Sequence, residues 1–112
     1  MKYFIYCRKS SEQEDRQILS LPAQVTELTK LAQEKGLFVL ETYEESGSAH
    51  VIGRRKFEEM LLRIEKGEAN GIIVWDESRI ARNSLDGGKA IYMMDLGQLQ
   101  EIVKPGRVYR NT

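Results

Sequence analysis

Four short segments have the hydrophobic pattern of β-strands. Residues 2–7 (KYFIYC) and 71–75 (GIIVW) are apolar on consecutive positions, and residues 37–43 (LFVLETY) are rich in β-forming side chains. Short runs that are apolar on both faces are typical of strands that are covered on both sides. A fourth, shorter strand is predicted at residues 101–103.

Apolar residues recur at helical spacing in the segments between these strands. Ser20 is placed to cap a first helix that has Pro22 in its first turn and ends at Gly36. Two further helices are predicted at residues 54–66 and 84–96. The apolar stripe of the first helix consists of Val25, Leu28, Leu31 and Ala32, and that of the second consists of Phe57, Met60, Leu61 and Ile64.

Strands and helices alternate along the chain, and this alternation predicts an α/β fold. Helices that connect parallel strands cross over in a right-handed sense, so we expect a mainly parallel central sheet of about four strands. The last nine residues, 104–112, are mostly polar and are interpreted as a tail. A chain of 112 residues has the size of one domain, since domains cluster near ~100–150 residues.

The charge balance excludes one simple class of nucleic-acid binder. Lys and Arg number 17, Asp and Glu number 17, and the net charge is therefore zero. A uniformly basic module that coats phosphate is excluded, whereas a local basic site is not. One cysteine, Cys7, and one histidine, His50, exclude a disulfide framework and a Cys/His zinc site. No apolar run is long enough for a membrane span or a signal peptide, so we expect a cytoplasmic protein.

Polar residues follow each of the first three predicted strands. The first strand leads into residues 8–11 (RKSS), the second into 44–48 (EESGS), and the third into 76–79 (DESR). Because sites in parallel α/β sheets form beyond the carboxyl ends of the strands, these groups are expected at one edge. Arg54 and Arg82 follow closely in the sequence. Each segment taken alone fits a solvated loop, but three at one edge favour a functional site.

The residue types at this edge indicate phosphate chemistry. A guanidinium stays charged and offers a fork that matches phosphate oxygens, and a serine hydroxyl can attack phosphorus when the developing charge is stabilised. No Asp/His cluster suited to a metal is apparent, so the arginines would supply the positive charge. Of two adjacent serines, Ser10 is favoured over Ser11, because neighbouring side chains at a strand exit point in different directions.

An ordered set of motifs resembles the serine recombinases, the superfamily of resolvases, invertases and large serine integrases. Residues 6–10 (YCRKS) resemble the family's Tyr-x-Arg-x-Ser signature. The similarity extends over roughly residues 3–110 and is greatest to the catalytic domain of the large recombinases. The other matching segments are 21–24 (LPAQ), 45–48 (ESGS), 54–57 (RRKF), 71–75 (GIIVW) and 79–83 (RIARN).

The resemblance implies a resolvase-like three-layer fold, with helices on both faces of the sheet, and site-specific DNA recombination. In the family, a serine cuts a DNA strand and keeps it as a 5′-phosphoserine until rejoining, without a metal or other cofactor. The matching positions make Ser10 the nucleophile and assign phosphate-binding charges to Arg8, Arg54, Arg79 and Arg82. Supporting positions are Glu45 and Ser48, while Gln24 occupies a position of uncertain role.

Two positions depart from the family pattern. Ser78 stands where the family usually has an aspartate before the first arginine of its Asp-Arg-x-x-Arg segment, so a supporting carboxylate is missing there. Asp76 or Glu77 is a candidate replacement. In addition, Arg55 and Lys56 replace a Pro-Gly pair at the start of the second helix.

The resemblance also implies partners and a longer protein. We expect residues 1–112 to be the catalytic domain, truncated before a long dimerisation helix and separate DNA-binding domains. The full-length recombinase, encoded by a bacterium, phage or mobile element, would bind DNA as a homodimer that assembles into a tetramer. A different interpretation is a non-catalytic α/β module for DNA or protein interaction derived from a recombinase, which Ser78 favours. A metal-dependent nuclease is a third, weaker interpretation.

Overall fold

The computed structural model describes residues 1–9, 19–46, 55–76, 80 and 84–110, with residues 84–87 described by their backbone alone. Its five strands and three helices alternate over most of the chain, as the sequence predicts. In chain order the elements are β1 (Lys2–Lys9), α1 (Leu21–Lys35), β2 (Phe38–Ser46), α2 (Arg55–Glu65), β3 (Gly71–Ile73), α3 (Ser84–Asp95), β4 (Glu101–Lys104) and β5 (Arg107–Arg110).

The strands form one sheet in the order β2-β1-β3-β4-β5. All pairs are parallel except β4 with β5, which confirms the predicted α/β class with a mainly parallel sheet. The fifth strand lies in the segment interpreted from its polarity as a tail. Strand β5 is an edge strand whose two arginines are exposed, so its sequence lacks the apolar run that marks a buried strand. The turn between β4 and β5 contains Gly106 at a φ of 83°.

Two apolar clusters lie on opposite faces of the sheet. On one face, Tyr3, Ile5 and Cys7 of β1 pack in the same cluster as Leu28 and Ala32 of α1. On the other face, Phe4 and Tyr6 share a cluster with α2 and α3, whose buried members include Phe57, Met60, Leu61, Ile64, Ala90 and Met93. The predicted three-layer arrangement is therefore confirmed. Full burial of one such side chain stabilises the fold by about 1.5–3 kcal/mol.

The ends of α1 follow local signals in the sequence. The Ala23 backbone N–H donates to Ser20 Oγ at 3.3 Å, and Pro22 lies in the first turn. Gly36 ends the helix at a φ of 69°, in the left-handed region that favours glycine. Both predicted helix boundaries are confirmed.

Strand β2 forms one edge of the sheet and is longer than predicted, because it continues to Ser46. Its pairing with β1 shifts register between Tyr3 and Phe4, whose partners are Val39 and Glu41, so Leu40 is an extra residue. Phe38 at the start of the strand is 60% exposed.

Strand β3 is shorter than predicted and ends at Ile73, two residues before the half-buried Trp75. In the part of the chain that the structure describes, no helix is long and apolar enough to cross a membrane.

A polar network crosses the sheet at the end opposite the carboxyl ends of the parallel strands. The Tyr3 hydroxyl on β1 donates to Glu101 Oε1 on β4 at 2.5 Å, and Arg110 Nε on β5 donates to Glu101 Oε2 at 2.8 Å. The Tyr3 ring passes over Gly71 on β3, where an added Cβ would overlap two of its ring carbons. The absence of a side chain at Gly71 thus allows β1 to contact β4 directly.

Candidate functional site

The carboxyl ends of β1 and β2 bring two of the predicted site residues side by side. Because these strands are parallel, Arg8 pairs with Glu45 and Lys9 pairs with Ser46 in the ladder. Strand β3 is parallel to β1 as well, so the segment after β3 begins at the same edge. Arg8 and Glu45 therefore lie at the end of the sheet where the parallel strands have their carboxyl ends, which is where the sequence predicts a site.

Three of the nine predicted site residues are among those the structure describes: Arg8, Gln24 and Glu45. The other six are Ser10, Ser48, Arg54, Ser78, Arg79 and Arg82, and they lie outside the described residues. Their assignment to the site stays a prediction. Sequence adjacency places Ser10 directly after Lys9, the last residue of β1, and Arg54 directly before Arg55, the first residue of α2.

Arg8 is buried, with 2% of its surface exposed. The alternation of side chains along β1 puts Arg8 on the same face as Phe4 and Tyr6, which contact α2 and α3. The positive charge of its guanidinium is therefore shielded from water. Burying such a charge is unfavourable unless it is paired. A low-dielectric environment strengthens any interaction of that charge with an anion.

Gln24 links the end of β1 to the beginning of α1. Its side chain is fully buried, and Nε2 donates to the carbonyl of Arg8 at 3.0 Å and to the carbonyl of Leu19 at 2.9 Å. Arg8 and Leu19 lie on either side of the segment that contains Ser10. Among the residues that the structure describes, no donor contacts the buried Gln24 Oε1. Gln24 thus tethers the backbone at Arg8 to the backbone at Leu19.

Glu45, on β2, caps the N-terminus of α2, although the two lie in different elements. Its Oε2 accepts a hydrogen bond from the Lys56 backbone N–H at 2.9 Å, and its Oε1 accepts one from the Phe57 N–H at 3.3 Å. A carboxylate at a helix N-terminus satisfies unpaired N–H groups and interacts favourably with the helix dipole. Lys56 Nζ also donates to the carbonyl of Glu44 at 2.6 Å. These contacts fix the start of α2, and hence the chain next to Arg54, against the end of β2.

Tyr6 completes this arrangement and was not among the predicted site residues. Its hydroxyl donates to Glu45 Oε1 at 2.6 Å, and its ring lies 5.3 Å from the ring of Phe57. By its hydrophobic pattern Tyr6 is one residue of a mostly apolar strand, and its hydrogen-bond partner is 39 positions away. The Tyr-x-Arg-x-Ser motif was the one signal that singled out this tyrosine.

The acidic residues of the described segments do not gather into a metal site. No group of three His, Cys, Asp or Glu side chains in residues 1–9, 19–46, 55–76, 80 and 84–110 is arranged to hold a metal ion. Cys7 is fully buried, and burial together with the nearby Glu44 raises the pKa of its thiol to about 12. Cys7 therefore acts as a small core residue rather than as a nucleophile.

The architecture defines a class of α/β domain with a mainly parallel sheet, in which Arg8, Gln24 and Glu45 lie near the carboxyl ends of β1 and β2 and the starts of α1 and α2. Comparison with known families narrows this class. The family model described as "Resolvase, N terminal domain" matches residues 3–99. The chain belongs to this family of serine recombinase catalytic domains, which confirms the resemblance found in its motifs.

Solved structures share the fold. A resolvase-family site-specific recombinase from Streptococcus pneumoniae superposes with a TM-score of 0.75 at 24% identity, covering 96% of this chain and 75% of that one. The N-terminal catalytic domain of TP901-1 integrase gives 0.72 at 23% identity, with 93% and 76% covered. The C-terminal catalytic domain of ISC1926 TnpA, an IS607-like serine recombinase, gives 0.69 at 20% identity, with 93% and 67% covered.

Proposed function

We propose that this chain is the catalytic domain of a site-specific DNA recombinase in which Ser10 is the nucleophile. Ser10 Oγ attacks a DNA phosphodiester, the new Oγ–P bond replaces the P–O3′ bond, and the serine proton is transferred to the departing 3′ oxygen. The products are a 5′-phosphoserine and a free 3′-hydroxyl. The phosphoester bond is kept in the intermediate, so rejoining is the same reaction in reverse and needs no cofactor.

The arginines supply the charge that this step requires. Negative charge develops on the phosphate oxygens during attack, and guanidiniums are suited to bind them in pairs. We assign this role to Arg8, Arg54, Arg79 and Arg82. Loss of one preorganised donor typically lowers the rate by about 10²–10³.

The observation that carries this proposal is the pair of tethers around the predicted nucleophile and arginine. Gln24 binds the carbonyl of Arg8, two residues before Ser10. Glu45 binds the first amides of α2, next to Arg54. Both tethers end on backbone atoms, so they restrict where the neighbouring side chains can lie. Gln24 and Glu45 are therefore proposed as positioning residues, as is Ser48 from its place in the motif.

The test is to trap the covalent intermediate. The full-length protein is incubated with a duplex that carries its recombination site and a nick near the cleavage position, so that a cut strand diffuses away and rejoining fails. We expect a protein–DNA adduct that is absent in Ser10→Ala. The matched control is Ser11→Ala, which removes the same hydroxyl one residue further along and keeps the adduct.

Two outcomes would contradict the proposal. An adduct that persists in Ser10→Ala but disappears in Ser11→Ala would reassign the nucleophile. No adduct in the unaltered protein, with site-specific DNA binding retained, would favour the alternative function, a non-catalytic interaction module. Ser78 is the residue that keeps this alternative in view, because the family carries an aspartate there.

The wider assembly belongs to the same proposal. We infer a DNA partner bound through its phosphodiester backbone, and a homodimer that assembles into a tetramer in the full-length protein. The family membership of residues 3–99 supports the DNA partner. Target sequence and direction of recombination would be set outside this domain.

A further inference from the structure

We propose that the hairpin of β4 and β5 is a second DNA contact, in which Arg107, beside Lys104, binds a backbone phosphate several nucleotides from the cleaved one. The proposal rests on the proposed function for its DNA substrate. It assigns a role to the segment that is interpreted from its polarity as a tail.

The strand directions put Arg107 at the same end of the sheet as the candidate site, which is the end where the parallel strands have their carboxyl ends. Strand β4 is parallel to β3, and β3 is parallel to β1, so Lys104 at the end of β4 lies at the same edge as Lys9. Strand β5 is antiparallel and begins with Arg107, which pairs directly with Lys104. Arg110, at the other end of β5, lies at the opposite edge.

The alternation of side chains also puts Arg107 on the same face as Arg8. Ile102 packs against the cluster that contains Phe4 and Tyr6, so Lys104, two residues further, shares that face. Arg107 is opposite Lys104 in the ladder and therefore points the same way. Arg110 pairs with Glu101, which contacts Tyr3 on the other face. The two arginines of β5 thus lie at opposite ends of the strand and on opposite faces of the sheet.

The spacing of the strands sets the distance along DNA. Three strand spacings of about 4.8 Å separate β1 from β5, and the register puts Arg107 level with Tyr6, two residues before Arg8, so the backbone positions of Arg8 and Arg107 are about 16 Å apart. DNA rises about 3.4 Å for each nucleotide of a strand, so 16 Å corresponds to about five nucleotides. Arg107 would therefore contact a flanking phosphate and would not compete with the arginines assigned to the cleaved one.

The surroundings of Arg107 suit a phosphate contact. It is exposed, and its guanidinium lies 4.7 Å from the centre of the Tyr109 ring, which orients the group without neutralising it. Arg110, in contrast, is bound to the Glu101 carboxylate. Because the net charge is zero, affinity for phosphate depends on such local groups.

The experiment compares Arg107→Gln with Arg110→Gln, which remove the same charge from the same strand. Both are made in a full-length Ser10→Ala protein, so that binding is measured without cleavage. Affinity for a mixed-sequence duplex of a few helical turns is measured by fluorescence anisotropy over a range of salt concentrations. Each lost phosphate contact lowers the slope of log affinity against log salt by about 0.9. We expect this decrease, and several-fold weaker binding, for Arg107→Gln alone.

A third variant separates charge from folding. Arg107→Lys keeps the charge and should retain the slope of the parent protein, while circular dichroism checks the fold of all three variants. Equal slopes for Arg107→Gln and Arg110→Gln would overturn the proposal, because they would show only a general effect of charge. An unchanged slope with altered subunit association would also overturn it and would assign the hairpin to a protein contact. The adduct test of Ser10 is independent, so either proposal can fail alone.

Discussion

At the scale of single residues, Gly71 shows how one missing side chain shapes the sheet. Tyr3 lies across it to reach Glu101, so three strands are joined by one hydrogen bond and one ring contact. Burial raises the pKa of the Tyr3 hydroxyl to about 12, and the hydrogen bond to Glu101 adds to the shift. The tyrosine is therefore a neutral donor over the whole physiological range of pH.

Gly71→Ala should destabilise the protein, because the new methyl group would overlap the Tyr3 ring and displace it from Glu101. We expect a loss of about 1–3 kcal/mol in the free energy of unfolding, measured with urea, as for other overpacked cores. The control is Gly88→Ala in α3, where an added Cβ meets no atom within 4 Å. The same change there should be neutral or stabilise by up to about 1 kcal/mol. A tolerated alanine at position 71 would contradict the packing described.

At the scale of elements, the N-terminus of α2 is capped by a residue of another element, β2. The chain offers no Ser, Thr, Asp or Asn among the three residues 54–56, and the carboxylate of Glu45 accepts from two backbone N–H groups instead. The end of β2 and the start of α2 are thus fastened together on the side where the site is proposed.

Glu45→Gln should loosen the first turn of α2. The amide nitrogen of glutamine is a donor and replaces one of the two carboxylate oxygens. The hydrogen bonds accepted by that oxygen, either from the Lys56 N–H or from the Phe57 N–H and the Tyr6 hydroxyl, are therefore lost. We expect a loss of about 0.5–2 kcal/mol in stability, together with faster hydrogen exchange at these amides. Glu44→Gln removes the same charge from the neighbouring exposed side chain and should leave both quantities unchanged. Equal exchange rates in the two variants would mean that the cap has no energetic role.

Elements with local signals were predictable from the sequence, and those that depend on distant partners were not. Ser20 and Gly36 carry the information for both ends of α1 within a few residues, so its boundaries were predicted correctly. Strand β5 depends on pairing with β4, and its exposed arginines hide it among polar residues. The Glu45 cap and the Gln24 tether join positions 12 and 16 apart, and no periodic pattern marks them.

At the scale of the whole molecule, the network of Tyr3, Glu101 and Arg110 makes stability sensitive to acid. Burial opposes ionisation of Glu101, but the hydrogen bonds from Tyr3 and Arg110 outweigh it and hold the pKa of this carboxyl below its usual value. A folded-state pKa below the unfolded one gives stability that is present above the unfolded pKa. That stability is lost as the pH falls through the folded one.

Glu101→Gln should therefore flatten the loss of stability in acid. The free energy of unfolding is measured for both proteins as the pH is lowered from neutral to below about 4.3, the ordinary pKa of glutamate. We expect the unaltered protein to lose more stability across this range than Glu101→Gln does. The charge-matched comparison is Glu34→Gln on the exposed side of α1. Parallel curves for Glu101→Gln and the unaltered protein would show that the network does not contribute.

The interior position of β1 in the sheet has a consequence for how the protein is made. Its six consecutive buried residues, 3–8, are synthesised well before both of its neighbours in the sheet, which are β2 from residue 38 and β3 from residue 71. At roughly 5–20 residues per second, synthesis leaves this apolar strand without its partners for several seconds. The sheet cannot close around β1 until β3 is available, so the growing chain has to keep this apolar strand from pairing with other chains before then.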